Sequence, residues 1–72
     1  MNAILDRLSP AQRLVLRGIA EGKKPNQIAG ELPAPLRMSA RGVIYHRTEI
    51  YRKLGIHSIA EATRMAIHAG LL

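Results

Sequence analysis

Cysteine is absent from this 72-residue chain, which excludes a disulfide framework, thiolate metal ligands and a cysteine nucleophile, and fits a reducing compartment. No stretch approaches the roughly 18 consecutive apolar residues that a membrane span needs. The opening MNAILDRLSPAQ has neither the basic start nor the long apolar run of a secretion signal. A soluble, cytoplasmic protein without a membrane role is therefore expected. Acidic residues number only five and are scattered, and there is no glycine-rich phosphate loop. A chain this short also leaves little room for a cleft, so no enzyme, and no cofactor, is expected. No alternating apolar pattern is long enough for a strand, and neither an internal repeat nor a low-complexity tract is present.

What is abundant is positive charge. Eleven Lys and Arg against five Asp and Glu give +6, a balance that points to a polyanionic partner, with nucleic acid ahead of an anionic membrane surface. A membrane-surface helix would need a basic polar face and bulky apolar residues opposite, whereas the strongest helix here carries large apolar residues on both sides. Residues 1–72 are expected to form one domain with a small core, since a chain of this size buries only about 60% of its unfolded surface.

Helix punctuation is dense. Ser9-Pro10-Ala11-Gln12 has the form of a capping box with proline in the first turn and Leu8 placed for a staple. The helix it opens carries Val15, Leu16, Ile19 and Ala20 and stops at Gly22. Pro25 opens a short second helix with Ile28, Ala29 and Leu32 inward, ended by Pro33 and Pro35. Ser39 is the next N-cap, with Met38 and Val43 as a staple across it, and the third helix runs to Leu54 before Gly55. Ser58 and Glu61 make a further capping box, and the fourth helix, with Ala60, Ala62, Met65 and Ala66, ends at Gly70. The expected fold is all-α with four helices.

On a wheel of about 100° per residue, Val43, Ile50 and Leu54 of the third helix define a core stripe with His46 and Arg47 at its edges. Arg41, Ile44, Tyr45, Thr48 and Arg52 fall on the opposite side. Two large apolar side chains bracketed by arginines describe a surface that becomes buried against something anionic. The major groove of duplex DNA is such a surface, with phosphates at its walls and thymine methyls and base edges at its floor. Single exposed apolar residues are common and by themselves prove nothing. The short helix and turn preceding this one are what favour a recognition helix.

The "LSP" opening and "VL" of the first helix, the Gly22, Ile28, Ala29 and Leu32 positions, and above all "S...V..H...IYRKLG" from Ser39 to Gly55 resemble the LuxR/GerE-type helix-turn-helix over residues 8–71. The resemblance implies a four-helix domain, transcriptional regulation in bacteria, a third helix that reads the major groove and a fourth that often supplies a homodimer contact. It places base reading on Ile44, Tyr45 and Thr48, and phosphate contact on Arg41, His46, Arg47 and Lys53. Arg52 joins the phosphate set from the wheel. The chain departs from the family at Ile44, where a lysine or similar polar group is usual, and at Gly42, where threonine is common. It also departs at residues 33–38, a turn about four residues longer than usual, which bears on the angle between the second and third helices. Only a few residues precede the match, which leaves a stand-alone regulator and an excised domain both open.

Ile59, Thr63 and Ile67 lie near one stripe of the fourth helix, a candidate contact for a weak homodimer that forms on DNA with inverted half-sites. Ile59 or Ile67 could equally belong to the core. Histidines 46, 57 and 68 recur every eleven residues, but the breaks at Gly55 and Ser58 separate them and no metal site is expected. The rival to DNA binding is a helix-turn-helix repurposed as an adaptor or anti-regulator, with Ile44, Tyr45 and Leu36 forming a patch for another regulator protein.

Overall fold

A computed structural model of the protein describes residues 3–72. Its elements are α1 (Ala3–Asp6), α2 (Pro10–Ala20), α3 (Pro25–Glu31), a 3-10 turn (Ala34–Leu36), α4 (Ala40–Leu54) and α5 (Ile59–His68). The fold is all-α, with no strand among the described residues. The four expected helices are α2 to α5, and the count is corrected by α1, a single turn ahead of the first capping box. That turn is held by a side chain outside it: the Arg13 guanidinium donates to Leu5 O from Nη2 (2.9 Å) and Nε (3.2 Å), and Nε also reaches Leu8 O at 3.3 Å. A four-residue helix stabilised by tertiary hydrogen bonds has no local signature to read.

The caps form as their residues dictate. Gln12 N–H donates to Ser9 Oγ and Ser9 N–H to Gln12 Oε1, each at 3.2 Å, closing the box on α2. Ser39 Oγ takes the Gly42 N–H and Ser58 Oγ the Glu61 N–H. The box at α5 differs from expectation in one bond, because the Glu61 carboxylate accepts from His57 N–H (3.3 Å) instead of from Ser58. At the other end of α4, Gly55 adopts φ 66°, a left-handed conformation that glycine enters without a Cβ penalty. Its neighbour Ile56 then turns back to donate to Tyr51 O and bury its side chain.

The core is a layer between α2 and the other helices. Val15 and Leu16 from α2, Val43 and Ile50 from α4, and Ala62 and Ala66 from α5 are all sealed from solvent. α2 packs on both α4 and α5, and α3 packs on α4. The two alanines keep α5 close to α2. On the other side of α2, Gly18 makes room for Ile28, the one buried residue of α3: a Cβ on Gly18 would sit 2.7 Å from Ile28 Cγ1. This seat fixes α3 against α2. Residues 33–38 then cross to α4 through the 3-10 turn, closed by Leu36 N–H to Pro33 O (2.9 Å), and Met38 packs against the core. The lengthened turn is thus a compact turn of helix, and α3 and α4 remain in contact across it.

Candidate nucleic-acid interface

The outward side of α4 is built by default. With Val43 and Ile50 at 1% and 0% exposure, helical geometry turns Ile44 (42% exposed), Tyr45 (62%), Arg41, Thr48 and Arg52 away from the core. The five residues read from the wheel therefore do share one solvent-facing surface. Thr48 spends its hydroxyl proton on Ile44 O (3.1 Å), which leaves its methyl and oxygen lone pairs to face outward. The Tyr45 ring meets the His46 ring edge-on, with centroids 5.5 Å apart.

The side chains expected at phosphate fall into three groups. Arg41 and Arg47 have no ion-pair or hydrogen-bond partner for their side chains among the described residues. Arg52 is held by Glu49 through Nη2–Oε1 (2.8 Å) and Nε–Oε2 (3.3 Å). The pairing raises the arginine above its ordinary pKa and holds the Glu49 carboxyl below the ordinary carboxylate value, chiefly through that hydrogen bonding. Lys53 and His46 lie on the flank that faces α2, where both contact Gln12: Lys53 Nζ donates to Gln12 Oε1 at 2.9 Å, and His46 Nδ1 lies 3.3 Å from Gln12 Nε2. Arg7 Nη1 donates to Lys53 O (3.3 Å), adding a cation at the C-terminal end of α4.

Three of the four acids outside α4 are engaged away from it. Glu21 and Glu31 engage Arg17 and Lys23 at the far end of α2, and the hydrogen bond to Glu31 raises Lys23 above its ordinary pKa. Glu61 serves the start of α5. Positive charge is consequently left unbalanced around Arg41 and Arg47.

On α5, Ile59 and Ile67 are 62% and 59% exposed, so neither is core. Thr63 lies between them, half-buried, with its hydroxyl bonded to Ile59 O (2.9 Å). Ile59 also borders a shallow groove with Arg47, Thr48, Tyr51, His57 and Ser58, at the junction of α4 and α5, whereas Ile67 lies two turns further along. Leu36 is half-buried and does not join Ile44 and Tyr45 as an exposed apolar residue. Among the described residues no group of three His, Cys, Asp or Glu is placed to hold a metal ion, and no helix is long and apolar enough to cross a membrane.

Sequence reasoning missed Gln12 and Glu49 as neighbours of the site. Glu49 was open to discovery as the i,i+3 partner of Arg52. In the sequence Gln12 is visible only as half of a capping box, and nothing in spacings of 34 and 41 residues connects it to His46 and Lys53.

The family described as bacterial regulatory proteins, luxR family, matches residues 6–66, from the end of α1 to the last turn of α5. No curated protein and no solved structure matches the chain.

Proposed function

From the premise that the chain belongs to the luxR family of bacterial regulatory proteins, a family of DNA-binding transcriptional regulators, we propose that it binds duplex DNA sequence-specifically with α4 in the major groove. The observation that carries this is the pairing of Ile44 and Tyr45, both exposed, with Arg41 and Arg52 on the face opposite a fully buried stripe. Ile44 and the Thr48 methyl suit thymine methyls, and Tyr45 adds a hydrogen-bonding hydroxyl for base edges. Arg41, Arg47 and Arg52 reach phosphate walls, where contacts fix position without reading sequence. The helix is about 22 Å long at 1.5 Å per residue, enough to lie across the groove.

The experiment is a fluorescence-anisotropy titration of duplex DNA at several salt concentrations. Log affinity falls linearly with log salt, at a slope corresponding to about three to six phosphate contacts per protomer. Absence of binding at low salt, or a flat salt response, refutes the reading. A flat response with capture of another regulator would instead support the adaptor role.

The stripe of Ile59, Thr63 and Ile67 on α5 is proposed as a weak homodimer contact. A domain this small buries little area on pairing, so dimerisation on inverted half-sites is the expected mode. Selection of bound sequences from a random pool checks it, since a dimer returns symmetric pairs of half-sites and a monomer returns single ones.

A further inference from the structure

Gln12 is the single polar side chain buried in the core of the described residues, at 5% exposure, and its two ends have different partners. Oε1 accepts the Ser9 N–H (3.2 Å) and the Lys53 ammonium (2.9 Å). Both are donors only, so an amide turned end for end would set its NH₂ against two donors; the orientation is forced. Nε2 is therefore the atom that faces His46 Nδ1 at 3.3 Å. An amide NH₂ donates and cannot accept, which makes Nδ1 the acceptor and leaves the neutral ring's proton on Nε2. The two nitrogens flank Cε1 and their outward directions diverge widely, so Nε2–H points away from Gln12 on a half-exposed side chain.

Resting on the reading of α4 as the DNA-contacting helix, we propose that Gln12 is a positioning residue for DNA binding: it holds His46 as an Nε2–H donor toward phosphate and withdraws Lys53 from the contact set into the α2–α4 junction. Through the same amide the cap of α2 is tied to the flank of α4. Lys53 then acts as a tether that sets the seat of the helix, while the phosphate contacts on this flank come from the His46 ring.

The test begins on the free protein, with ¹⁵N correlation spectra of the His46 ring at pH 8, assigned by loss of its signals in His46→Ala. The wild-type ring is expected to carry its proton on Nε2. Gln12→Glu keeps an acceptor for both Ser9 and Lys53 but presents an oxygen to His46, so the proton should move to Nδ1 and Nε2 should become an acceptor. DNA affinity at the same pH should then fall about tenfold, the effect of one hydrogen bond to a charged group. In a His46→Ala background the same Gln12→Glu change should alter affinity by less than about twofold, because the coupling runs through the ring.

A wild-type ring protonated on Nδ1 overturns the proposal. So does an equal loss in both backgrounds, which would assign the effect to the added charge. Lys53→Gln should leave the salt slope unchanged, and a slope reduced by about one would return Lys53 to the phosphate contacts and overturn the tether. If Gln12→Glu fails to fold by circular dichroism, the wild-type tautomer and the Lys53→Gln slope still decide the matter. A wild-type protein that binds no DNA removes the reading on which the proposal rests, and the tautomer measured in the free protein then shows whether the geometry at least was right.

Discussion

α4 and α5 each turn two large apolar side chains into solvent, to similar extents: Ile44 and Tyr45 at 42% and 62%, Ile59 and Ile67 at 62% and 59%. Their surroundings differ. On α4 the pair lies among Arg41, Thr48 and Arg52, whereas on α5 Ile59 borders Arg47 at the junction with α4 and Ile67 lies two turns away from that charge, beyond Thr63. Exposed apolar area alone therefore does not name a partner; the charge beside it does. Apolar groups framed by arginine suit a surface with anionic walls and a partly apolar floor, as in a DNA groove. An apolar group set apart from that charge, as Ile67 is, suits a second protein surface.

The largest expected effect removes the support common to both faces. Ile50 is fully buried beneath α4, and Ile50→Ala should cost about 2–5 kcal/mol, a large fraction of what a small domain has to spare. Urea unfolding followed by circular dichroism measures it. DNA binding and self-association should be lost together, and survival of either at full strength would show that its face does not depend on the shared core.

A smaller change separates reading from holding on α4. Tyr45→Ala should cost about 1–3 kcal/mol on the preferred DNA site and less on random duplex. Arg41→Ala should weaken both alike and reduce the salt slope by about one. Equal ratios for the two variants on the two DNAs would show that the apolar pair is not the reader, and would direct attention to the turn at residues 33–38.

The corresponding change on α5 is Ile67→Asp. It should reduce affinity for a paired inverted site by about tenfold, the scale of a single weak coupling, and leave a single half-site unaffected. A loss on the half-site as well would mean that α5 supports the fold or touches DNA itself, and that the contrast between the two faces is false.

Much of this contrast was readable from residue order. The stripe through Val43 and Ile50 and the outward set around Tyr45 follow from helical periodicity, which packing then enforced. The serine caps and the glycine stops at Gly22, Gly55 and Gly70 likewise follow from local chemistry. What escaped was tertiary. α1 exists because Arg13 reaches back to the Leu5 carbonyl, and Gln12 meets His46 and Lys53 only once α2 and α4 have packed. Whether Ile59 and Ile67 were core or surface was likewise undecidable from a wheel, since Ala62 and Ala66 had to be seen filling the place against α2. The site was thus legible as a face of one helix and illegible where a second helix tunes it.

The smallest expected effect concerns the one acid on α4. Glu49 occupies Arg52 through two hydrogen bonds, so part of the positive charge on the outward face is answered from within the helix before DNA arrives. Glu49→Gln should release the guanidinium, raise affinity for random and preferred DNA alike by about twofold, in keeping with the small energies of exposed ion pairs, and steepen the salt slope by up to about one contact. The effect on folding has a defined pH window. Because Arg52 holds the Glu49 carboxyl below its ordinary value, the pair's contribution to stability is present above the ordinary carboxylate range and lost as pH falls through the lowered one. Wild-type and Glu49→Gln proteins should accordingly differ slightly in thermal midpoint at neutral pH and converge in acid. The matching substitution on α5, Glu61→Gln, changes an acceptor for His57 N–H at a helix start and frees no arginine, so its DNA curves should overlay those of the wild type. If Glu49→Gln and Glu61→Gln raise affinity equally, bulk charge governs binding, and the arginines beside Tyr45 hold no special place.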